Sequence, residues 1–295
     1  MGIISFLQSF SSDLLNSIMI IITSVGSLYF LMFFVVLIYW CYNKDIGYKL
    51  AVILSSSMVL NSIVKGLVQT SRPIGVDGIL SIDTYTASGY SFPSGHTQNI
   101  TTFGTSLFIF TRNKIMFIIS LIFMILVSIS RLYLGVHWPI DILGGFILAL
   151  IVSIVLNEIF IKLNSFKINI LVAILILVFS LGFLFIARDN MGYDYFNSMG
   201  LIFGVYLGHL FENRFVNFSC SSSNIDNIMK LIIGVSTTVL IEVLFRYLFN
   251  ESPLVFLIKY FIIGFWVIGC VPFIFKLTNL YYKEAYEIIN IKYRK

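Results

Sequence analysis

Runs of about 20 apolar residues recur along the whole chain, and a run of that length crosses the hydrocarbon core of a bilayer as a helix. This pattern limits the fold before any single residue is considered. Charged residues make up only 11% of the chain and hydrophobic residues 58%, whereas a soluble protein carries about 25% charged residues. A soluble protein is therefore excluded. The 29 Phe and 16 Tyr suit side chains packed in lipid or held at its interface. The net charge of +5 is small and is read as loop charge. Nucleic acid as a partner would need clustered basic residues on a water-facing surface, and the sequence has none.

The runs predict an all-α fold, a polytopic membrane helix bundle of about nine spans. Residues 2–16 come first, with Ile3, Ile4, Phe6, Leu7, Phe10 and Leu14 at helical spacing, and read as an amphipathic helix lying at the interface. The spans follow at 18–42, 47–69, 95–111, 115–134, 140–161, 168–187, 196–212, 228–248 and 254–275. The third carries Asn99, Thr101, Thr102 and Thr105, which predicts a face turned inward. The N-terminus has no basic region and small-residue cleavage site, so the first span is expected to serve as the targeting signal. Cys41, Cys220 and Cys270 form no CxxC pair and are expected to be packing residues or a loop thiol.

Lysine and arginine set the orientation. Thirteen of the nineteen fall on the side that receives the loops after spans 1, 3, 5 and 7 and the C-terminal tail. The other side has six: Lys65, Arg72, Arg131, Arg188, Arg246 and Lys259. The richer side is expected to be cytoplasmic, with the N-terminus outside and loop 70–94, turn 131–139 and loop 188–195 on the outer face. Lys65, Arg72 and Arg131 lie at or inside helix ends, where an unpaired charge is costly and a functional role is the default.

The polar residues of that outer face gather in three stretches. The first is KGLVQTSRP, Lys65 to Pro73. Lys65 and Arg72 are seven residues apart, two helical turns, so they are expected near one helix face, with the helix ending at Arg72 because Pro73 disfavours helical geometry before it. Alone, the pair also fits two snorkelling charges that anchor a helix end. The second is PSGH, Pro93 to His96, which reads as a helix start. Free N–H groups there would bind an anion, Ser94 would add a hydroxyl, Gly95 would let a ligand approach the backbone, and His96 would sit beside it. A plain capping turn fits these residues equally well. The third is SRLYLGVHWPID, Ser130 to Asp141. Pro139 suits the first turn of a helix, and Asp141 is placed one turn beyond His137 to accept from one ring nitrogen, leaving the other to act as base or nucleophile. Asp141 could also be an acid that complements the helix start.

Taken together, three cations, two histidines, a serine and an aspartate fall at one membrane face. Arg and Lys bind phosphate, Arg in forked geometry. Two histidines allow one to attack while the other protonates the leaving oxygen. No carboxylate cluster suggests magnesium or calcium, and no His or Cys spacing suggests zinc. The chemistry expected is phosphoryl transfer with no metal and no cofactor.

These stretches, Lys-x6-Arg-Pro, Pro-Ser-Gly-His and Ser-Arg-x5-His-x3-Asp, resemble the three-part signature of the type 2 phosphatidic-acid phosphatase superfamily, complete, in order and in spacing. The resemblance covers about residues 18 to 160. It implies a membrane lipid phosphatase with His137 as the nucleophile that forms a phosphohistidine, Asp141 orienting it, and His96 as general acid. Lys65, Arg72, Ser94, Gly95 and Arg131 would hold the phosphate. It also implies a core over residues 1–164, including the N-terminal amphipathic helix, and a C-terminal transmembrane extension over 165–295. The partners implied are a lipid phosphate substrate and membrane lipids. The superfamily includes enzymes for diacylglycerol phosphates such as phosphatidic acid, sphingoid phosphates, phosphatidylglycerol phosphate, polyprenyl pyrophosphates and glucose 6-phosphate, and soluble haloperoxidases that the spans argue against. A bacterial cell-membrane enzyme acting on undecaprenyl pyrophosphate fits an outward site. Two other readings stay open on the sequence: a lipid-to-lipid phosphotransferase, and a lipid transporter or binding protein without catalysis.

Outside these stretches, His209 lies near the expected cytoplasmic end of its span and reads as structural. Glu242 and Arg246 are four apart on one span and predict an intrahelical pair.

Overall fold

Several helices start where a small polar residue stands before an apolar run. Ser12, Asn113, Ser223 and Ser252 each accept a backbone N–H from the first turn that follows, satisfying a donor that the helix leaves unpaired. The structure, a computed structural model, describes residues 2–162 and 192–280. Among them there are helices and loops and no strand. We number the α-helices α1 Gly2–Gln8, α2 Asp13–Ser24, α3 Leu28–Leu37, α4 Lys44–Val68, α5 Gly95–Thr111, α6 Lys114–Tyr133, α7 Pro139–Lys162, α8 Tyr193–Phe211, α9 Asn224–Leu248, α10 Pro253–Phe265 and α11 Val271–Leu277. Short π-helical turns follow α3, α8 and α10.

The chain divides into two units, one drawn from residues 1–32 and 56–195, the other from 33–55 and 196–295. In the first, α5 packs against both α6 and α7, and α1 and α2 pack on α6. Gly104 makes the α5–α6 approach possible, since a Cβ there would come within 2.6 Å of Ser120 and Met124. The inward face of α5 is polar, as expected from the sequence: Gln98, Asn99, Thr101 and Thr102 are buried, and Thr105 is half-buried. These groups find partners inside the bundle. Gln98 donates to the carbonyl and hydroxyl of Ser57, and Asn61 donates to Gln98. Ile118, Ile122 and Ile125 of α6 and Ile147, Ile151 and Ile154 of α7 point outward, as lipid-facing residues do.

In the second unit, Tyr39 and Trp40 donate to the carbonyls of Ile268 and Val267 in the π-helical turn after α10. Buried Glu212 pairs with Lys44 at 3.1 Å. Lys230, which the sequence places beside a loop, is fully buried and donates to Trp40 O, Cys220 O and the Ser222 hydroxyl. His209 stacks on Tyr48, ring centres 3.5 Å apart, and meets Asn213 through Nε2, a structural role. The three cysteines are free thiols.

Five helices are long and apolar enough to cross a membrane, or six if α2 and the stretch Leu28–Tyr42, bent by 49°, form one broken span. Eight of the nine expected segments coincide with helices, and 168–187 lies outside the described residues. The two segments singled out as less apolar, α5 with 17 residues and α8 with 19, are not among those five. The count of nine spans is thus not established.

Three local expectations need correction. The amphipathic helix over 2–16 is broken, because Ser12 caps a new helix at Asp13. Its first part is also more than a lipid contact. Gln8 is buried, donating to Leu80 O and Tyr133 O and accepting from Leu80 N. Helix α4 ends at Val68, not Arg72. Gln69 takes the left-handed conformation (φ 53°) and its N–H closes on Lys65 O, a helix-terminating geometry. Glu242 pairs across to Lys259 at 2.8 Å and not with Arg246, because a neighbouring helix offers a closer cation.

Candidate active site

The site forms where two helix starts meet. Ser94 is the N-cap of α5: its backbone is extended and its Oγ accepts from Thr97 N. Its own N–H donates to the carbonyl of Asp141 at 2.9 Å, so the beginnings of α5 and α7 are joined through main chain. The peptide before Pro93 is cis, and Asn61 donates to Pro93 O. Close packing depends on Gly144 and Gly145 of α7, where a Cβ would reach 2.3 Å from the Phe92 ring and 2.6 Å from Ser94 O. The sequence reading of PSGH as a helix start is what the structure has, with Gly95 the first helical residue.

At the start of α7, His137 is buried and its Nδ1 lies 3.2 Å from Asp141 Oδ2. The same oxygen accepts from Trp138 N at 2.7 Å and from the hydroxyl of Ser91. The other ring nitrogen, His137 Nε2, faces Arg72 Nη1 at 3.1 Å. Arginine can only donate, so Nε2 carries the lone pair and Nδ1 the proton.

Arg72 reaches this point from the loop after α4, fixed by donation to Val136 O, Gly89 O, Ser88 O and Tyr90 O. Lys65, on the last turn of α4, donates to the same Tyr90 O at 2.8 Å. The two cations therefore converge through a shared carbonyl, not through a common helix face. Arg131 is fully buried near the end of α6, with Nη1 donating to the hydroxyls of Thr23 and Thr86 at 3.0 Å each. Its Nε and Nη2 are buried without a partner, an arrangement that is costly unless something accepts from them. His96 sits on the first turn of α5, half-buried, in close contact with Gly26.

Electrostatics tie these residues together. Burial first, and then the charges of Arg131, Arg72, Lys65 and His96, push His137 well below the ordinary imidazole pKa, so its ring is neutral at neutral pH. Arg72 is lowered to about 10 by burial, opposed by Asp141 and Asp194. Among the described residues, no group of three or more His, Cys, Asp or Glu side chains could hold a metal ion.

Lys65, Arg72, His137 and Asp141 are thus joined by direct contacts, Ser94 and Gly95 by main chain, and Arg131 and His96 by the field they exert on His137. Sequence reasoning missed Ser91, Thr23, Thr86 and Asp194. Ser91 lies two residues before Pro93, in a stretch the motif already marks. The others carry no signal, being single polar residues far along the chain.

The PAP2 superfamily matches residues 46–165, and the PAP2 superfamily phosphatase transmembrane extension matches 196–284. A phosphatidylglycerophosphatase B of Bacillus subtilis is 30% identical over 166 residues, 52% of this chain and 79% of that protein. An undecaprenyl-diphosphatase of Sulfolobus acidocaldarius is 30% identical over 135 residues, 45% of this chain. The match spans 65% of that relative's length, just under two thirds. The crystal structure of a transmembrane PAP2 type phosphatidylglycerolphosphate phosphatase from Bacillus subtilis is similar with a TM-score of 0.47 and 26% identity, covering 56% of this chain and 86% of that one. The fold and the motif residues define an integral membrane protein of the phosphatase type. This chain belongs to the PAP2 superfamily.

Proposed function

We propose that the protein is a lipid phosphatase that removes phosphate from a lipid phosphate or pyrophosphate through a phosphohistidine intermediate. The observation that carries this reading is the pair of contacts on His137: Nδ1 held by Asp141 and Nε2 turned to Arg72 with its lone pair free to attack. In this reading Nε2 attacks phosphorus, the bond to the leaving oxygen breaks, and His96 gives that oxygen a proton. Water then attacks the phosphohistidine, His96 takes the proton of the water, and the P–N bond breaks. Inorganic phosphate leaves and both histidines return to their starting states. Lys65, Arg72, Arg131, the Ser94 hydroxyl and the N–H groups at Gly95 hold the phosphate oxygens, and the two open nitrogens of Arg131 suit this. Asp141 keeps the His137 ring in its tautomer.

The excess of Lys and Arg on the opposite loops puts the site on the outer membrane face, with the N-terminus outside and the C-terminus cytoplasmic. Catalysis rests in residues 1–164, and 165–295 form an appended extension. Undecaprenyl pyrophosphate, phosphatidylglycerol phosphate and phosphatidic acid head the substrate panel, the first two supported by the names of the relatives.

The test is phosphate release by the purified protein from these lipids and from sphingosine phosphate and lysophosphatidic acid. Release from one class, abolished in His137→Ala with membrane insertion intact, is expected. Turnover that survives in His137→Ala overturns the mechanism, and silence of folded wild-type protein across the panel overturns the hydrolase reading.

A further inference from the structure

We propose that Ser91 is a positioning residue of this site, whose hydroxyl holds the Asp141 carboxylate and, through it, the His137 ring in line for attack. The inference rests on the reading of His137 as nucleophile. Ser91 is fully buried. Its Oγ donates to Asp141 Oδ2 and lies 3.4 Å from His137 Nδ1.

The directions of these bonds follow from the donors around them. Because Arg72 donates to Nε2, the imidazole proton is on Nδ1. The Ser91 hydrogen is committed to the carboxylate, so the lone pairs of its oxygen face that Nδ1–H. One oxygen thus donates to Asp141 and accepts from His137, closing a triangle on the ring nitrogen opposite the attacking one. Asp141 Oδ2 carries three contacts, while Oδ1 is buried without a partner. Trp138 N–H alone would fix the carboxylate at one point and leave its rotation open. Ser91 supplies the second point.

The backbone of Ser91 is well placed for this task. Its N–H donates to Thr70 O at 2.8 Å, two residues before Arg72. The preceding carbonyl, that of Tyr90, receives both Lys65 and Arg72. Ser91 therefore fixes the carboxylate relative to the same loop that sets the two cations.

The experiment compares Ser91→Ala and Ser91→Thr with His137→Ala in the full-length protein. The readouts are kcat and KM on the active lipid, inhibition by inorganic phosphate, and the pH profile. Ser91→Ala is expected to lower kcat by about tenfold or more, the scale of a lost bond to a buried charge. KM and the inhibition constant for phosphate stay within twofold, and the acid limb of kcat/KM moves to higher pH, because Asp141 without its donor favours imidazolium more strongly. Ser91→Thr, which keeps the hydroxyl, recovers most of kcat. The proposal is overturned by kcat within twofold of wild type in Ser91→Ala, by an unmoved acid limb, by a parallel weakening of phosphate inhibition, or by Ser91→Thr no better than Ser91→Ala. Activity surviving in His137→Ala instead overturns the nucleophile reading, so the two failures are told apart.

Discussion

Arg72 Nη1 stands 3.1 Å from Nε2 of His137, on the opposite side of the ring from Asp141. The imidazole is held between a donor and an acceptor. One consequence is a defined tautomer. Another is that the arginine nearest the reacting nitrogen is placed to pass from that nitrogen to a phosphate oxygen when substrate arrives.

Replacing Arg72 by Ala should lower kcat/KM by about a hundredfold to a thousandfold, the range seen when one donor to a developing oxyanion is removed. Arg72→Lys should recover only a small part, because an ammonium cannot span the four carbonyls and the histidine that the guanidinium contacts. Steady-state kinetics on the active lipid checks this, and Arg72→Lys at wild-type rate would contradict it.

The pH profile carries a signed expectation. A lowered His137 pKa means the neutral, attacking form persists below the usual imidazole range. The acid limb of kcat/KM should therefore lie below about pH 6.5. Removing one cation in Arg72→Gln should raise that pKa and move the limb upward. A limb at ordinary histidine values that does not respond to Arg72→Gln would count against the assignment.

Gly145→Ala should be damaging although the residue contacts no substrate in the proposed mechanism. Its Cβ would meet Ser94 O at 2.6 Å, which is backbone and can move only by shifting the start of α5. A cost of about 1–3 kcal/mol is expected for such overpacking, with a larger fall in activity than in thermal stability. Equal activity in the two proteins would show that the α5–α7 junction tolerates displacement.

Activity in EDTA should match activity without it, and strong loss that added metal restores would point to an ion the donor set does not suggest.

Much of the site could be read from the sequence because its residues lie at fixed spacing beside helix ends. His137 and Asp141 are four apart at a helix start, so local geometry alone brings them together. The Lys65–Arg72 relation shows the limit. Their spacing suggested one helix face, but Gln69 turns left-handed and ends α4 early, and the convergence is made by carbonyls at 88–90 that no pattern marks. Arg131 was legible as a buried charge. Its acceptors were not, because Thr23 is 108 residues away and long-range pairing leaves no periodic trace. Gln8 was read as part of a lipid-facing helix for the same reason: its partners at Leu80 and Tyr133 are distant in sequence.

That Gln8 contact changes what counts as the smallest working piece. The matched superfamily segment begins at residue 46 and contains every motif residue. Yet Arg131 leans on Thr23, and the chain at Leu80 and Tyr133 is pinned by Gln8. A fragment cut at the family boundary would keep all the reactive groups and lose the buttress behind them. The first two helices are better regarded as a keystone of the catalytic unit than as its doorstep.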